Sequence, residues 1–198
     1  MSGKYSVRAH IRAQNFEGMI VTTTLQVHHL QTTTQLSNDL SPLSLRGAFG
    51  QFPSGVAALA AYTQDGVAQG MVASSFTVGV SLEPPLVSVA VQNTSTTWPV
   101  LRETNRIGIS ILGEGQGTIA RQMAAKGADR FEGLNLETNN DAIFVAESAL
   151  WLETSIYGEF PAGDHVVALL EVHNIADFTD VHEPLVFHKS QFRNVRDH

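Results

Sequence analysis

Two adjacent hydroxyls, Ser74 and Ser75, lie in a stretch of small residues, and His165 follows a Gly163-Asp164 pair that reads as a turn entering a strand. A side chain at such a junction can reach a pocket. Hydroxyls beside exposed backbone N–H groups can hydrogen-bond a heterocycle or a phosphate. The other reading of Ser74 and Ser75 is a tight strand end, and the residues alone do not choose between the two. Neither serine sits in a nucleophile elbow, because the chain contains no Gly-x-Ser-x-Gly and offers neither one an evident acid–base partner.

A second chemical pattern is Gly113-Glu114-Gly115-Gln116-Gly117-Thr118, which follows one predicted strand and precedes one predicted helix. Glu132 stands where the ribose-binding acid of a dinucleotide fold would stand. Thr118 occupies the third glycine position, however, and repeated βαβ units are absent, so the reading favoured here is a flexible turn feeding a helix. Its N-terminal amides could still face an anion. The eight histidines invite a metal reading. His28 and His29 are adjacent and point apart in a helix or a strand, and His165 and His173 are too far apart on one strand to share an ion unaided. No HExxH pair is present, and no metal site is expected.

The whole chain sets bounds on this chemistry. With 198 residues it holds one well-covered domain. Its composition, 43% hydrophobic and 16% charged, is that of a soluble globular protein. A formal net charge of -7 argues against general nucleic-acid binding, which needs clustered Lys and Arg. The absence of cysteine removes disulfides, thiolate zinc sites and cysteine nucleophiles. No run approaches the roughly 20 apolar residues of a membrane span, and Met1 to Gly18 lacks the apolar region of a signal peptide. A cytoplasmic location is expected.

The elements that must position these residues are mostly strands. Residues 1–40 are polar and Thr-rich, and read as an extension that is mobile or folded over a partner subunit. The domain proper, 41–198, opens with a helix from Leu45 to about Phe52, capped by Ser44 and ended by Pro53 and Gly55. Strands are expected over Val56–Thr63 and Val67–Ala73, with Gln64-Asp65-Gly66 as the turn, and over Pro85–Gln92 and Arg106–Leu112. A helix from Gln116 to Lys126 places Ile119, Ala120 and Met123 on one face and stops at Gly127. Ala149–Phe160 and His165–Phe178 form two long strands joined by Pro161-Ala162-Gly163-Asp164, and Leu185–His188 closes the sheet. Many short strands with one clear helix point to a closed antiparallel barrel rather than a doubly wound sheet.

Five segments in order carry a resemblance. They are Arg46–Val56 (RGAFGQFPSGV), Gln69–Pro85 (QGMVASSFTVGVSLEPP) with the LVSVAVQNTSTTW that follows, Gly163-Asp164-His165, and Glu183–Phe187 (EPLVF). Together they resemble the flavin reductase-like family over residues 44 to 195. Ser54 and Val72 stand where that family commonly has Thr, and Phe187 where it commonly has Tyr. The resemblance implies a split β-barrel homodimer with flavin near the dimer interface. It implies an NAD(P)H:flavin oxidoreductase that reduces FMN or FAD and supplies a partner monooxygenase.

Carried over position by position, Gly70, Met71, Val72, Ala73, Ser74, Ser75 and Phe76 run beside the isoalloxazine ring. Gln92, Asn93, Thr94, Ser95 and Thr97 serve the ribityl chain and phosphate, with Arg121 as a phosphate cation. Pro53, Ser54 and Gly55 line the ring's surroundings, and His165 stands where the nicotinamide of NADH or NADPH stacks. Hydride transfer between two cofactors needs alignment and exclusion of water rather than a strong acid, base or nucleophile. The lack of a triad or metal cluster agrees with that mechanism. Two other readings share the cradle: a split-barrel oxidase with tightly bound FMN, which would want a basic phosphate cluster, and a non-catalytic flavin-binding protein.

Overall fold

The structure is a computed structural model and describes residues 36–195. The chain divides into two units, Met1–Leu40 and Ser41–His198, and the second carries every helix and strand of the described residues. The reading of residues 1–40, His28 and His29 included, lies outside the described residues except for 36–40.

Helix α1 covers Pro42–Phe49, three residues earlier than its expected start. Ser41, not Ser44, is the cap: its side chain accepts the Ser44 N–H at 3.4 Å. Pro42 sits in the first turn, where its missing N–H leaves no helical bond unmade. Gly50 ends the helix.

The elements that follow are β1 (Ser54–Gly55), β2 (Ala57–Tyr62), β3 (Ala68–Ala73), β4 (Thr77–Leu82), β5 (Pro85–Gln92), α2 (Trp98–Leu101) and β6 (Ile107–Ile111). Then come α3 (Gly117–Ala124), β7 (Leu136–Asn139), β8 (Ala142–Val145), β9 (Leu150–Ala162), β10 (His165–Asp177), β11 (Leu185–His188) and β12 (Gln191–Asn194). The larger sheet runs β4-β5-β10-β9-β6-β2-β8-β7, with β3 also on β2, and β1-β11-β12 form a smaller one. Every pairing between these strands is antiparallel. That removes the dinucleotide-fold reading of Gly113–Thr118, because a βαβ unit needs parallel neighbours. The chain is mainly β with three short helices among the described residues, as expected.

Strand β2 explains how two layers of core can share one sheet. Its sequence, AALAAY, is buried from Ala57 through Ala61. Alternate side chains point to opposite faces. Ala57, Leu59 and Ala61 join Val87, Val89, Val91, Ile107, Ile109, Leu152, Ala168 and Leu170, with Trp98 and Leu101 of α2. Ala58 and Ala60 face the other way, toward Ala120 and Met123 of α3, Ile143 and Val145 of β8, and Leu185. Small side chains let both layers approach closely. Each fully buried Leu or Ile adds about 1.5–3 kcal/mol to this core.

One carboxylate is enclosed in it. Glu153 on β9 is 2% exposed. It accepts N–H bonds from Asn139 at 3.1 Å, Asn140 at 2.8 Å and Asn174, and Arg106 lies 3.9 Å away. Burial pushes its pKa up, but the bonds from Asn140 and Asn174, the Arg106 charge and the Asn139 bond outweigh it. The net position is below the ordinary 4.5. A depressed folded-state pKa means stability that is present at neutral pH and lost as pH falls from about 4.5 through the folded value. Denaturant unfolding from roughly pH 7 to roughly pH 3 should show that loss, and Glu153→Gln should flatten it. The same variant sets an amide against three amide donors and should cost about 3–5 kcal/mol near neutral pH.

Candidate functional site

The β9–β10 hairpin turns on Gly163 and Asp164 alone. Gly163 has φ +66, a left-handed conformation that favours glycine. Pro161 and Ala162, expected in the turn, remain in β9, opposite Val166 and His165. On the other side of β10, His165 lies opposite Gln92 at the end of β5. Past that end, the Asn93 N–H donates to the Asp164 carbonyl at 3.0 Å and Asn93 Nδ2 donates to the Gly163 carbonyl at 3.3 Å. The turn and the segment after β5 are therefore fastened together.

Within the turn, His165 Nδ1 is 2.7 Å from Asp164 Oδ1. An ionised carboxylate only accepts, so Nδ1 is assigned as the donor, and the neutral ring keeps a lone pair on Nε2. The hydrogen bond from His165, followed by the charge the ring carries when protonated, holds the Asp164 carboxyl below its ordinary 3.8. The His165 side chain is 34% exposed. It therefore has one fixed nitrogen and one available to a bound molecule.

The segment after β3 approaches the same strand. Ser74, Ser75 and Phe76 fall between β3 and β4, outside either ladder, and both serines are exposed. Ser75 Oγ donates to the Ala90 carbonyl of β5 at 2.7 Å. Met71 and Phe76 are partly buried against the core, and Ala73 is buried. Beyond β5 the chain folds into a tight turn, with the Ser95 N–H donating to the Gln92 carbonyl at 2.9 Å. Ser95 Oγ accepts the Trp98 N–H at 3.1 Å, which fixes the start of α2. Asn93 and Thr94 are exposed, whereas Thr97 is buried. Trp98 anchors this end of the site: its Nε1 donates to Glu159 at 2.7 Å, and Arg102 pairs with the same carboxylate at 2.5 Å.

Not every expected residue joins this group. Ser54 and Gly55 pair with Phe187 and Val186 in the smaller sheet, with Pro53 just before them. Arg121 is on α3, its guanidinium carbon 4.9 Å from the Phe192 ring centroid. Among the described residues, no hydrogen bond links Pro53, Ser54, Gly55 or Arg121 to the group around His165.

Sequence reasoning passed over Arg130. Its Nη1 donates to the Gly70 carbonyl at 2.5 Å and to Thr97 Oγ1 at 2.8 Å, and its Nε donates to the Ala125 carbonyl at 2.9 Å. It ties β3, the start of α2 and the end of α3 to one side chain. Next to it, Phe131 fills the space over Gly70, where a Cβ would come within 2.6 Å of Phe131 Cζ. Those contacts span 60 and 33 residues of sequence, and no local pattern marks them.

The arrangement offers hydroxyls, side-chain amides and unladdered backbone at the ends of β3 and β5, with an imidazole held by Asp164 at the adjoining start of β10. Among the described residues, no three His, Asp or Glu side chains gather as a metal site, and no helix is long and apolar enough to cross a membrane. Such a surface can hold and orient a planar heterocycle.

Known proteins share this sequence and architecture. The flavin reductase like domain matches residues 49–196. An NADH-dependent flavin reductase of Rhodococcus sp is 30% identical over 167 residues, covering 83% of this chain and 93% of that protein. The structure is similar to an NADH:FAD oxidoreductase of Streptomyces globisporus solved with NAD and FAD fragments. It shows a TM-score of 0.75 and 29% identity over 82% of this chain and 98% of that one. It is also similar to the flavin reductase component of a bacterial two-component tryptophan halogenase, with a TM-score of 0.70, 29% identity, and coverage of 79% and 99%. With most of its length matched in sequence and in fold, this chain belongs to the flavin reductase-like family.

Proposed function

We propose that this protein is an NAD(P)H:flavin oxidoreductase that reduces FMN or FAD and releases it to a partner monooxygenase. The observation that carries the reading is the fastening of Ser74–Phe76, Gln92–Ser95 and His165 around one end of β5 and β10. When bound, the nicotinamide and flavin supply the hydride chemistry themselves. The residues present fit a flavin: Ser74, Ser75, Asn93, Thr94 and Ser95 offer donors and acceptors, and Met71 and Phe76 an apolar contact. His165 is the catalytic residue, its Asp164-held ring presenting Nε2 as acceptor to the nicotinamide carboxamide and covering the reacting face from water. The relatives named above, an NADH-dependent reductase and a halogenase's reductase component among them, support nucleotide-driven flavin reduction for a second enzyme. In this reading the chain forms a cytoplasmic split-barrel homodimer, and residues 1–40 are an extension to its 41–198 domain.

Steady-state oxidation of NADH and NADPH with and without added FMN, FAD or riboflavin tests the proposal. Turnover that requires free flavin and saturates with it is the expected result. Tight flavin binding without nucleotide oxidation would replace the reading with an oxidase or a flavin carrier.

A further inference from the structure

At the far end of the β9–β10 ladder from His165 the surface folds into a cavity of about 220 Å³. His165 opens β10, whereas Asn174, Ile175 and Ala176 of the cavity lining lie near its close. At about 3.3 Å per residue, roughly 30 Å of strand separates the two. The cavity is therefore no part of the site described above.

Part of its lining is apolar and rigid. Phe144 of β8 stacks on Trp151 of β9 with ring centroids 5.2 Å apart, and Phe178 meets the same indole edge to face at 4.8 Å. Trp151 Nε1 donates to the Val145 carbonyl at 2.9 Å, which fixes the ring. Ile175 lines the same cavity and is 66% exposed, an apolar side chain left against water.

The rest of the lining is polar and negative. Glu153 is enclosed, ionised at neutral pH, and bonded to three neutral amides. Arg106 lies 3.9 Å from it but also turns its Nη1 to the Asn105 carbonyl at 2.9 Å, and it does not line the cavity. Glu137 of β7 adds a second carboxylate, which meets no donor or cation among the described residues. No Lys or Arg is in the lining.

Size and charge together limit the occupant. Sites for drug-sized ligands span roughly 300–1,000 Å³, so this one is too small for a flavin or a dinucleotide. Its carboxylates repel anions. An ammonium would make charge-assisted bonds there, and a ring on a short chain would cover Ile175 and the aromatic wall.

We propose that this cavity binds a small primary amine with an apolar or aromatic body. Glu137 receives the ammonium within the field of the enclosed Glu153 carboxylate, and Trp151 and Ile175 take the body. The site is independent of the flavin-reducing reading and stands or falls without it.

The test is isothermal titration calorimetry of the full chain near neutral pH, with phenethylamine as the probe and 2-phenylethanol as its neutral counterpart. Phenethylamine should bind saturably, one per chain, with a dissociation constant of about 1 mM or lower. 2-Phenylethanol should bind about tenfold more weakly. Glu137→Gln should weaken the amine about tenfold and leave the alcohol nearly unchanged, whereas Ile175→Ser should weaken both alike. Both side chains are exposed, so neither variant empties the core. Saturating FMN should leave phenethylamine affinity as it was.

Equal affinity for amine and alcohol, or no saturable binding up to about 10 mM, would overturn the proposal. Wild-type affinity for phenethylamine in Glu137→Gln would do so too, because the ammonium would then sit elsewhere. Displacement of phenethylamine by FMN would put the amine in the flavin site and end the claim of a separate one.

Discussion

Gly108→Ala is expected to destabilise the protein by about 3 kcal/mol or to prevent folding. Gly108 lies in β6 between Ala60 of β2 and Glu153 of β9. A Cβ there would stand 2.2 Å from the Ile143 carbonyl oxygen, 2.8 Å from its carbon and 2.9 Å from its nitrogen. All three are backbone atoms, so no rotamer change relieves the overlap. Backing β8 away would strain the bond in which Val145 N–H donates to Ser110 Oγ at 2.9 Å, and would open the layer holding Ile143 and Val145. Gly47 makes the contrast. Nothing lies within 4 Å of its added Cβ, and it sits in α1. Gly47→Ala should be neutral or stabilise by up to about 1 kcal/mol. Denaturant midpoints of the two variants give the comparison directly, and a Gly108→Ala midpoint equal to wild type would contradict the packing described for β6 and β8.

His165→Ala should slow reduction of bound flavin by about 10- to 100-fold while leaving flavin affinity nearly unchanged. The effect follows from position. The Asp164 bond fixes Nδ1, and the pairing with Gln92 and Ala162 fixes the backbone, so Nε2 has little freedom. In the role proposed for His165, removing the ring would leave the nicotinamide carboxamide without that acceptor and admit water to the face the ring covers. Rapid mixing of protein-bound flavin with NADH isolates this step from binding and release. An unchanged reduction rate would remove His165 from the chemistry and leave it a turn residue.

How much of this could be read from the chain depended on whether burial left a period. Pro85–Gln92 was legible to the residue because its apolar positions alternate over a well-buried face, and β5 has those limits. The β9–β10 pair was legible as two long strands, but its turn was expected over four residues, Pro161 to Asp164, and takes only Gly163 and Asp164. Proline commonly breaks strands. Pro161 escapes because β6 pairs only with Leu150–Thr154, leaving that stretch of β9 without a second ladder to disrupt. Strand β4 left no such trace, since Thr77–Leu82 is almost wholly exposed and kinks at Gly79, φ +69. The β7–β8 hairpin hid for another reason. It turns on Asn140-Asp141, with Asn140 at φ 51, and β8 is a four-residue apolar run that periodicity cannot assign.

The site shows the same division. Ser74, Ser75, Asn93 and His165 stood out because each lies at a strand end, where side chains and amides leave the ladder. The resemblance supplied their roles, and the hydrogen bonds through Ala90, Gly163 and Asp164 bring them to one place. Arg121 was named for being a cation on the next helix, yet its guanidinium faces Phe192. Arg130 and the Asn139–Asn140–Asn174 shell around Glu153 are long-range constructions. Polar residues in loops carry no sequence sign of the partner that waits across the fold.

The most direct test of the account is an anaerobic single turnover: equimolar flavin and protein mixed with NADH or NADPH, following flavin absorbance and nucleotide oxidation together. For a flavin reductase, flavin should bleach as nucleotide is oxidised, one for one, far faster than without protein. Flavin that binds the protein but stays oxidised in the presence of either nucleotide would contradict it.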